Sequence, residues 1–172
     1  TGVAVHPDDA RYAGLVGKAV ILPITGRRVP IVADDYADPT KGSGAVKITG
    51  AHDFNDYQVA KRNDIPLYRL MDEAAAMRSD GASYAEEAAK AMQIVKSDTL
   101  PSEAEIDAIN LVPEAYRGLD RLEARRKIVA DINADGLAVM TTDEEGNAVP
   151  FVEAKKIMQP FGDRSGVVIE PW

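Results

Sequence analysis

The run Gly42-Ser43-Gly44-Ala45-Val46-Lys47-Ile48-Thr49-Gly50-Ala51-His52-Asp53-Phe54-Asn55-Asp56-Tyr57 gathers most of the side chains in this chain that could do chemistry. It reads as a Gly-rich turn, a strand, a short loop and a helix start. On the strand, the two-residue period puts Ala45, Lys47 and Thr49 on one face and turns Val46 and Ile48 to the core. Asp53 and Asp56 are three residues apart at the helix start, so they share a side where the helix dipole favours anions. A cation, a hydroxyl and two carboxylates can therefore converge, which suits an amine-bearing or hydroxyl-bearing ligand. Each residue also has an ordinary structural role. Asp53 is a good N-cap, Asp56 a first-turn charge, and Lys47 a solvated strand residue. His52 fits a hydrogen-bonded loop histidine better than a general base.

Several chemistries are excluded by residue type. The chain has no cysteine, and its two histidines are His6 and His52, so thiolate catalysis, disulfides, Cys-based metal sites and all-His metal sites are ruled out. Gly42-Ser43-Gly44 lacks the Gly-Lys-Ser/Thr continuation of a phosphate loop, and there is no Gly-x-Ser-x-Gly elbow. Neither a cofactor nor a metal is expected.

The elements that must position this cluster follow from pattern. Short strands are expected at Val3–Val5, Lys18–Leu22, Val29–Ala33 and Ala45–Thr49, separated by Gly, Pro and Asp turns. A helix is predicted over 54–63, capped by Asp53 and ended by Asp64-Ile65-Pro66. Further helices are predicted at 83–95 and at 102–109, the latter opened by Pro101-Ser102 with Glu105. The strongest helix, 121–134, starts at Asp120 with Glu123 in a capping-box-like pair, carries an apolar stripe of Leu122, Ile128, Val129 and Ile132, and stops at Gly136. Strands return at Leu137–Thr141, Val149–Ile157 and Gly166–Ile169. The 172 residues suit one domain, and strand-like ends without an initiator Met suggest a domain excised from a longer protein. No apolar run approaches the ~20 residues of a membrane span.

The net charge of −8 argues against a free-standing nucleic-acid binder. Residues 71–110 alone contribute −6, and 117–127 carries a local +3 that reads as a solvated helix face.

The chain resembles the editing domain of valyl-tRNA synthetases, the connective-polypeptide insertion of class I synthetases. The resemblance rests on Thr1-Gly2-Val3-Ala4-Val5-His6-Pro7, Pro30-Ile31-Val32-Ala33-Asp34, Gly44-Ala45-Val46-Lys47-Ile48-Thr49 with Ala51-His52-Asp53 and Asn55-Asp56-Tyr57, Gly118-Leu119-Asp120-Arg121 with Glu123-Ala124-Arg125, and Gly162-Asp163-Arg164-Ser165-Gly166. These blocks stand in the family's order along nearly the whole chain. Lys47-Ile48-Thr49 is similar to the valyl version rather than the leucyl or isoleucyl one. The resemblance implies an α/β fold built on a small β-barrel with flanking helices over 1–172, with an acidic helical elaboration at about 71–116. It implies hydrolysis of threonyl-tRNA(Val), with Asp56 and Lys47 catalytic and Thr49, Asp53, His52 and Lys41 binding substrate. Lys41 stands where related sequences usually carry an aromatic residue, which implies an electrostatic contact with the tRNA end. The implied partners are the threonine-bearing acceptor end of tRNA(Val) and the remainder of a cytoplasmic parent synthetase, the isolated domain being a monomer. The rival reading is a non-catalytic module that positions the acceptor end.

Overall fold

A computed structural model describes residues 1–97, 101–152, 158 and 160–171. Four strands, β1 (Gly2–Val5), β2 (Ala19–Ile21), β3 (Arg28–Ala33) and β4 (Ala45–Ile48), form one mixed sheet in the order β2-β3-β1-β4. β1 runs parallel to β3, with Val3 opposite Ile31, and antiparallel to β4, with Val3 opposite Lys47. β2 completes the other edge, antiparallel to β3.

Helix α1 (Phe54–Arg62) follows β4 after a tight loop. That loop needs glycine at position 50, because a Cβ there would stand 2.7 Å from Leu67 Cδ2, 2.8 Å from Ala60 Cβ and 3.1 Å from Tyr57 Cα. α1 buries Val59 and Ala60 against Ala4, Ile48, Ala51, Ile65 and Leu67, forming the core beneath the sheet. At its far end, Asp34 accepts from Arg62 Nε at 2.7 Å and Asn63 Nδ2 at 2.7 Å, tying the helix to the loop after β3.

A second core gathers Tyr68, Ala91, Ile106, Ile109 and Leu111 between α2 (Tyr84–Lys96) and α3 (Glu103–Asp107). Both helices open with a complete capping box, Ser83 with Glu86 and Ser102 with Glu105, as the Ser-x-x-Glu spacing requires. A single 3₁₀ turn at Glu114–Tyr116 leads into α4 (Arg121–Ala134). The chain then forms a separate hairpin ribbon of β5 (Met140–Thr142) and β6 (Ala148–Pro150).

Several expectations need correction. The described residues form an open four-stranded sheet and a separate ribbon, and they do not close a barrel, because β2 and β4 remain edges. α4 has the expected bounds, but its apolar stripe does not reach a core. Leu122 is 53% exposed, Ile128, Val129 and Ile132 are half-buried, and only Ala124 is fully buried. Asp120 caps Leu122 N without a reciprocal bond from Glu123. The expected Gly166–Ile169 strand is reduced to one bridge, Phe161 to Val168. Of the expected Val149–Ile157 strand, only its beginning is paired, and 153–157 lies outside the described residues. No helix among the described residues is long and apolar enough to cross a membrane.

Candidate active site

β4 is an edge strand, so a side chain on its outer face is free to meet the helix that follows. Ile48 is buried and Lys47 exposed, the alternation expected from the sequence. Lys47 Nζ donates to Thr49 Oγ1 at 2.7 Å and to Asp56 Oδ2 at 3.2 Å. The same Oδ2 accepts from Thr49 N at 2.8 Å and lies 3.3 Å from Thr49 Oγ1. One oxygen of Asp56 thus gathers an ammonium, a backbone amide and a hydroxyl. Its other oxygen, Oδ1, accepts no hydrogen bond among the described residues.

The burial is asymmetric. The side chain of Asp56 is 5% exposed and that of Lys47 is 64% exposed. A carboxyl group held at this depth needs charged and polar donors around it, and Lys47 and Thr49 provide them. The α1 N-terminus contributes as well, since Asp56 sits in the first turn.

The other expected site residues are placed differently. Asp53 is the N-cap of α1, and its Oδ1 accepts from Asn55 N at 2.8 Å and Asp56 N at 3.1 Å. It therefore positions Asp56 through the backbone and makes no contact with Lys47 or Thr49. His52 is committed at both ring nitrogens: Nε2 accepts from Leu70 N at 3.0 Å, which leaves Nδ1 to donate to Glu170 Oε2 at 2.7 Å. Neither nitrogen is free to take a proton from a water. Lys41 is an exposed turn residue, 3.4 Å from Asp38, away from the Lys47–Thr49–Asp56 cluster.

Tyr36 was not singled out by the sequence. It is 40% exposed in the loop after β3, held by its backbone N–H to Asp34 Oδ1 at 2.9 Å. Partial burial and then the charges of Asp56 and Asp53 push its phenol pKa up, so the ring stands in the field of both carboxylates. A lone tyrosine in a loop gives no sequence signal for this placement. Among the described residues, no cluster of three or more His, Asp or Glu is arranged to hold a metal ion.

Comparison with known proteins places the chain in a family. Residues 7–114 match the family model described as "Leucyl-tRNA synthetase, editing domain". A valine–tRNA ligase from Ruegeria pomeroyi is 55% identical over 98% of this chain, which covers 18% of that protein. One from Caulobacter vibrioides is 48% identical over the whole chain and 14% of its own length. One from Xylella fastidiosa is 41% identical over the whole chain and 17% of its own length. The chain thus spans less than a fifth of each of these relatives. With more than half of its length matched by the family model, this chain belongs to the synthetase editing-domain family, in a form similar to that carried by valine–tRNA ligases.

Proposed function

We propose that the chain hydrolyses the ester of threonyl-tRNA(Val) within a valyl-tRNA synthetase. The need is chemical. A hydrophobic synthetic pocket rejects an isostere that only adds a hydroxyl by about 10²-fold, and valyl-tRNA synthetase facing threonine is the standard case. A second site that hydrogen-bonds the hydroxyl reverses the preference. Valine there would leave buried polar groups unpaired, at about 1–3 kcal/mol for each.

The observation that carries this reading is the divided carboxylate of Asp56, with one oxygen saturated by Lys47 and Thr49 and the other open. Oδ1 takes the α-ammonium of the threonyl group, while the Lys47 ammonium and the Thr49 hydroxyl face its side-chain hydroxyl. The ester carbonyl is then fixed against an incoming water, and positioning supplies the rate. Water adds to the carbonyl carbon and the ester C–O bond breaks. The water's proton passes to the departing ribose oxygen, giving threonine and uncharged tRNA. No covalent intermediate on the protein is required.

The remainder of the synthetase is the proposed second partner. Leu137, Val139, Phe151 and Phe161, each at least 57% exposed, offer an apolar face for it beside the ribbon. Tethering to a tRNA held by the parent enzyme also explains an editing domain of net charge −8, since a high effective concentration replaces charge attraction.

The test is deacylation of threonyl-tRNA(Val) against valyl-tRNA(Val), with Asp56→Ala as control. Selective clearance of the threonyl ester, lost in the variant, is expected. Equal clearance of both esters, or an active variant, overturns the reading. Binding of charged tRNA without any hydrolysis identifies a positioning module.

A further inference from the structure

The sheet is covered unevenly. Ala4, Val32 and Val46 stand side by side across β1, β3 and β4, and the core built on α1 packs against them. Pro30 is two residues from Val32 and shares its face, with Ala19 of β2 opposite it. On that face the β2–β3 half of the sheet is left open as a cleft of about 850 Å³. Ala19, Arg28 and Pro30 line it from the sheet, and Ile94, Val95 and Lys96 line it from the end of α2.

β2 is also an open edge. Ile31 N–H donates to Lys18 O at 2.9 Å and Leu22 N–H to Arg27 O at 2.8 Å, so Lys18 and Leu22 turn towards β3. The alternation along an antiparallel strand then points the N–H and C=O groups of Ala19 and Ile21 outwards, where no further strand stands among the described residues. Native sheets guard such edges with charge, proline or a cover, because bare ones recruit other chains. Here Val20 is 37% exposed and Ile21 66%, and Val95, which lines the cleft from α2, is 62% exposed.

Charge and an orphaned hydroxyl say what is missing. Lys18, Arg27, Arg28 and Lys96 line the cleft against the single carboxylate of Asp64, and none of the four has an ion pair among the described residues. Tyr68 lines it too, is 7% exposed, and its hydroxyl is buried with no hydrogen-bond partner. Arg27 lies over the Tyr68 ring, 6.0 Å from its centroid. A buried hydroxyl without an acceptor is uncommon in folded proteins, and one carboxylate seated beside Tyr68 and Arg27 would satisfy both.

We propose that an extended segment of the parent synthetase, from outside these 172 residues, pairs with the free edge of β2 and sends an acidic side chain into the cleft. The inference rests on the parent proposed above as partner, and not on hydrolysis at Asp56. Backbone bonds to Ala19 and Ile21 supply the pairing, and every second side chain of the added strand faces the cleft. The acidic one accepts from the Tyr68 hydroxyl and pairs with Arg27, while apolar neighbours cover Ile94 and Val95. The chain covers less than a fifth of each relative compared above, so the parent holds ample further chain. A second copy of this chain is a poorer occupant. Residues 18–33 carry Lys18, Arg27 and Arg28 and no carboxylate, so its β2 would bring more positive charge to a positive cleft.

The test is made on the full-length synthetase. Hydrogen exchange at the Ala19 and Ile21 amides should be slower than at an open edge by about a hundredfold. Benzoylphenylalanine incorporated in place of Ile21 should photo-crosslink to a peptide of the same chain from outside residues 1–172, with mixed isotope-labelled enzyme separating this from a link between copies. Arg27→Gln should return both amides towards the open-edge rate, and Arg27→Lys should keep most of the protection. Fast exchange in the wild type overturns the proposal, as does protection that Arg27→Gln leaves unmoved. A crosslink to a second copy, to tRNA or within residues 1–172 overturns it too. Hydrolysis is read separately on the same enzyme. Slow exchange and the expected crosslink in an enzyme that never cleaves threonyl-tRNA keep the added strand and overturn the editing reading.

Discussion

The backbone N–H of Thr49 donates to Asp56 Oδ2 at 2.8 Å, and this bond fastens the end of β4 to the first turn of α1. The side chain proposed to receive the substrate ammonium is thus also the link between the strand carrying Lys47 and the helix facing it. Structure and chemistry are joined in one carboxylate, and substitutions can separate them.

Asp56→Ala should abolish deacylation and also lower stability. It leaves a half-buried amide without an acceptor, at up to about 1–3 kcal/mol. Asp56→Asn retains a carbonyl oxygen for Thr49 N–H but loses the charge that holds an ammonium. Thermal melting of the Asn variant should stay near wild type while threonyl-tRNA cleavage falls at least tenfold. Wild-type activity in that variant would show that the charge is not used.

Asp53 should act only through the helix. Asp53→Ala removes an N-cap at about 0.5–2 kcal/mol, and Asp53→Ser should restore most of it, because serine also caps well. Melting and deacylation should recover together in the Ser variant. Recovered stability with lost cleavage would assign Asp53 a direct contact with substrate.

His52 and Glu170 should couple in a double-mutant cycle, since they meet at 2.7 Å across 118 residues of sequence. Contacting residues of this kind typically give an interaction energy of 0.5–3 kcal/mol, on the order of their shared hydrogen bond. Urea unfolding of His52→Ala, Glu170→Ala and the pair measures it, and strict additivity would remove the strut. His52→Ala should slow deacylation less than tenfold.

How much of this was legible in advance depends on range along the chain. Asp53, Ser83 and Ser102 cap the helices that follow them, because capping is settled within four residues. The Lys47–Thr49 pair was equally legible, as the pleat sets it over two residues. Sheet closure and helix cover depend on partners far away. α4 has its apolar stripe as read, yet Leu122 stays in solvent because no described strand lies over it. The Glu170 partner of His52 and the Arg27 guanidinium over the Tyr68 ring belong to the same class. No local spacing brings Arg27, just before β3, into one cleft with Lys96 at the end of α2.

Asp34 should give the chain an acid-sensitive anchor. Hydrogen bonds from Arg62, reinforced by Tyr36 N–H and Asn63, outweigh burial and hold its pKa below the ordinary 3.8. Because the folded pKa is depressed, the unfolded chain binds the proton more readily between the two values, and stability rises with pH across that window. The contribution is complete above about pH 5 and is lost as pH falls through 3.8 towards the folded value. Asp34→Asn should therefore be less stable than wild type at pH 7, by a gap that stays level down to about pH 5 and closes below it. Urea unfolding of both chains from pH 7 to pH 3 measures that gap. A gap that persists unchanged at pH 3 would mean that Arg62 stabilises α1 by packing its stem rather than by pairing its charge, and Arg62→Met would then be tolerated.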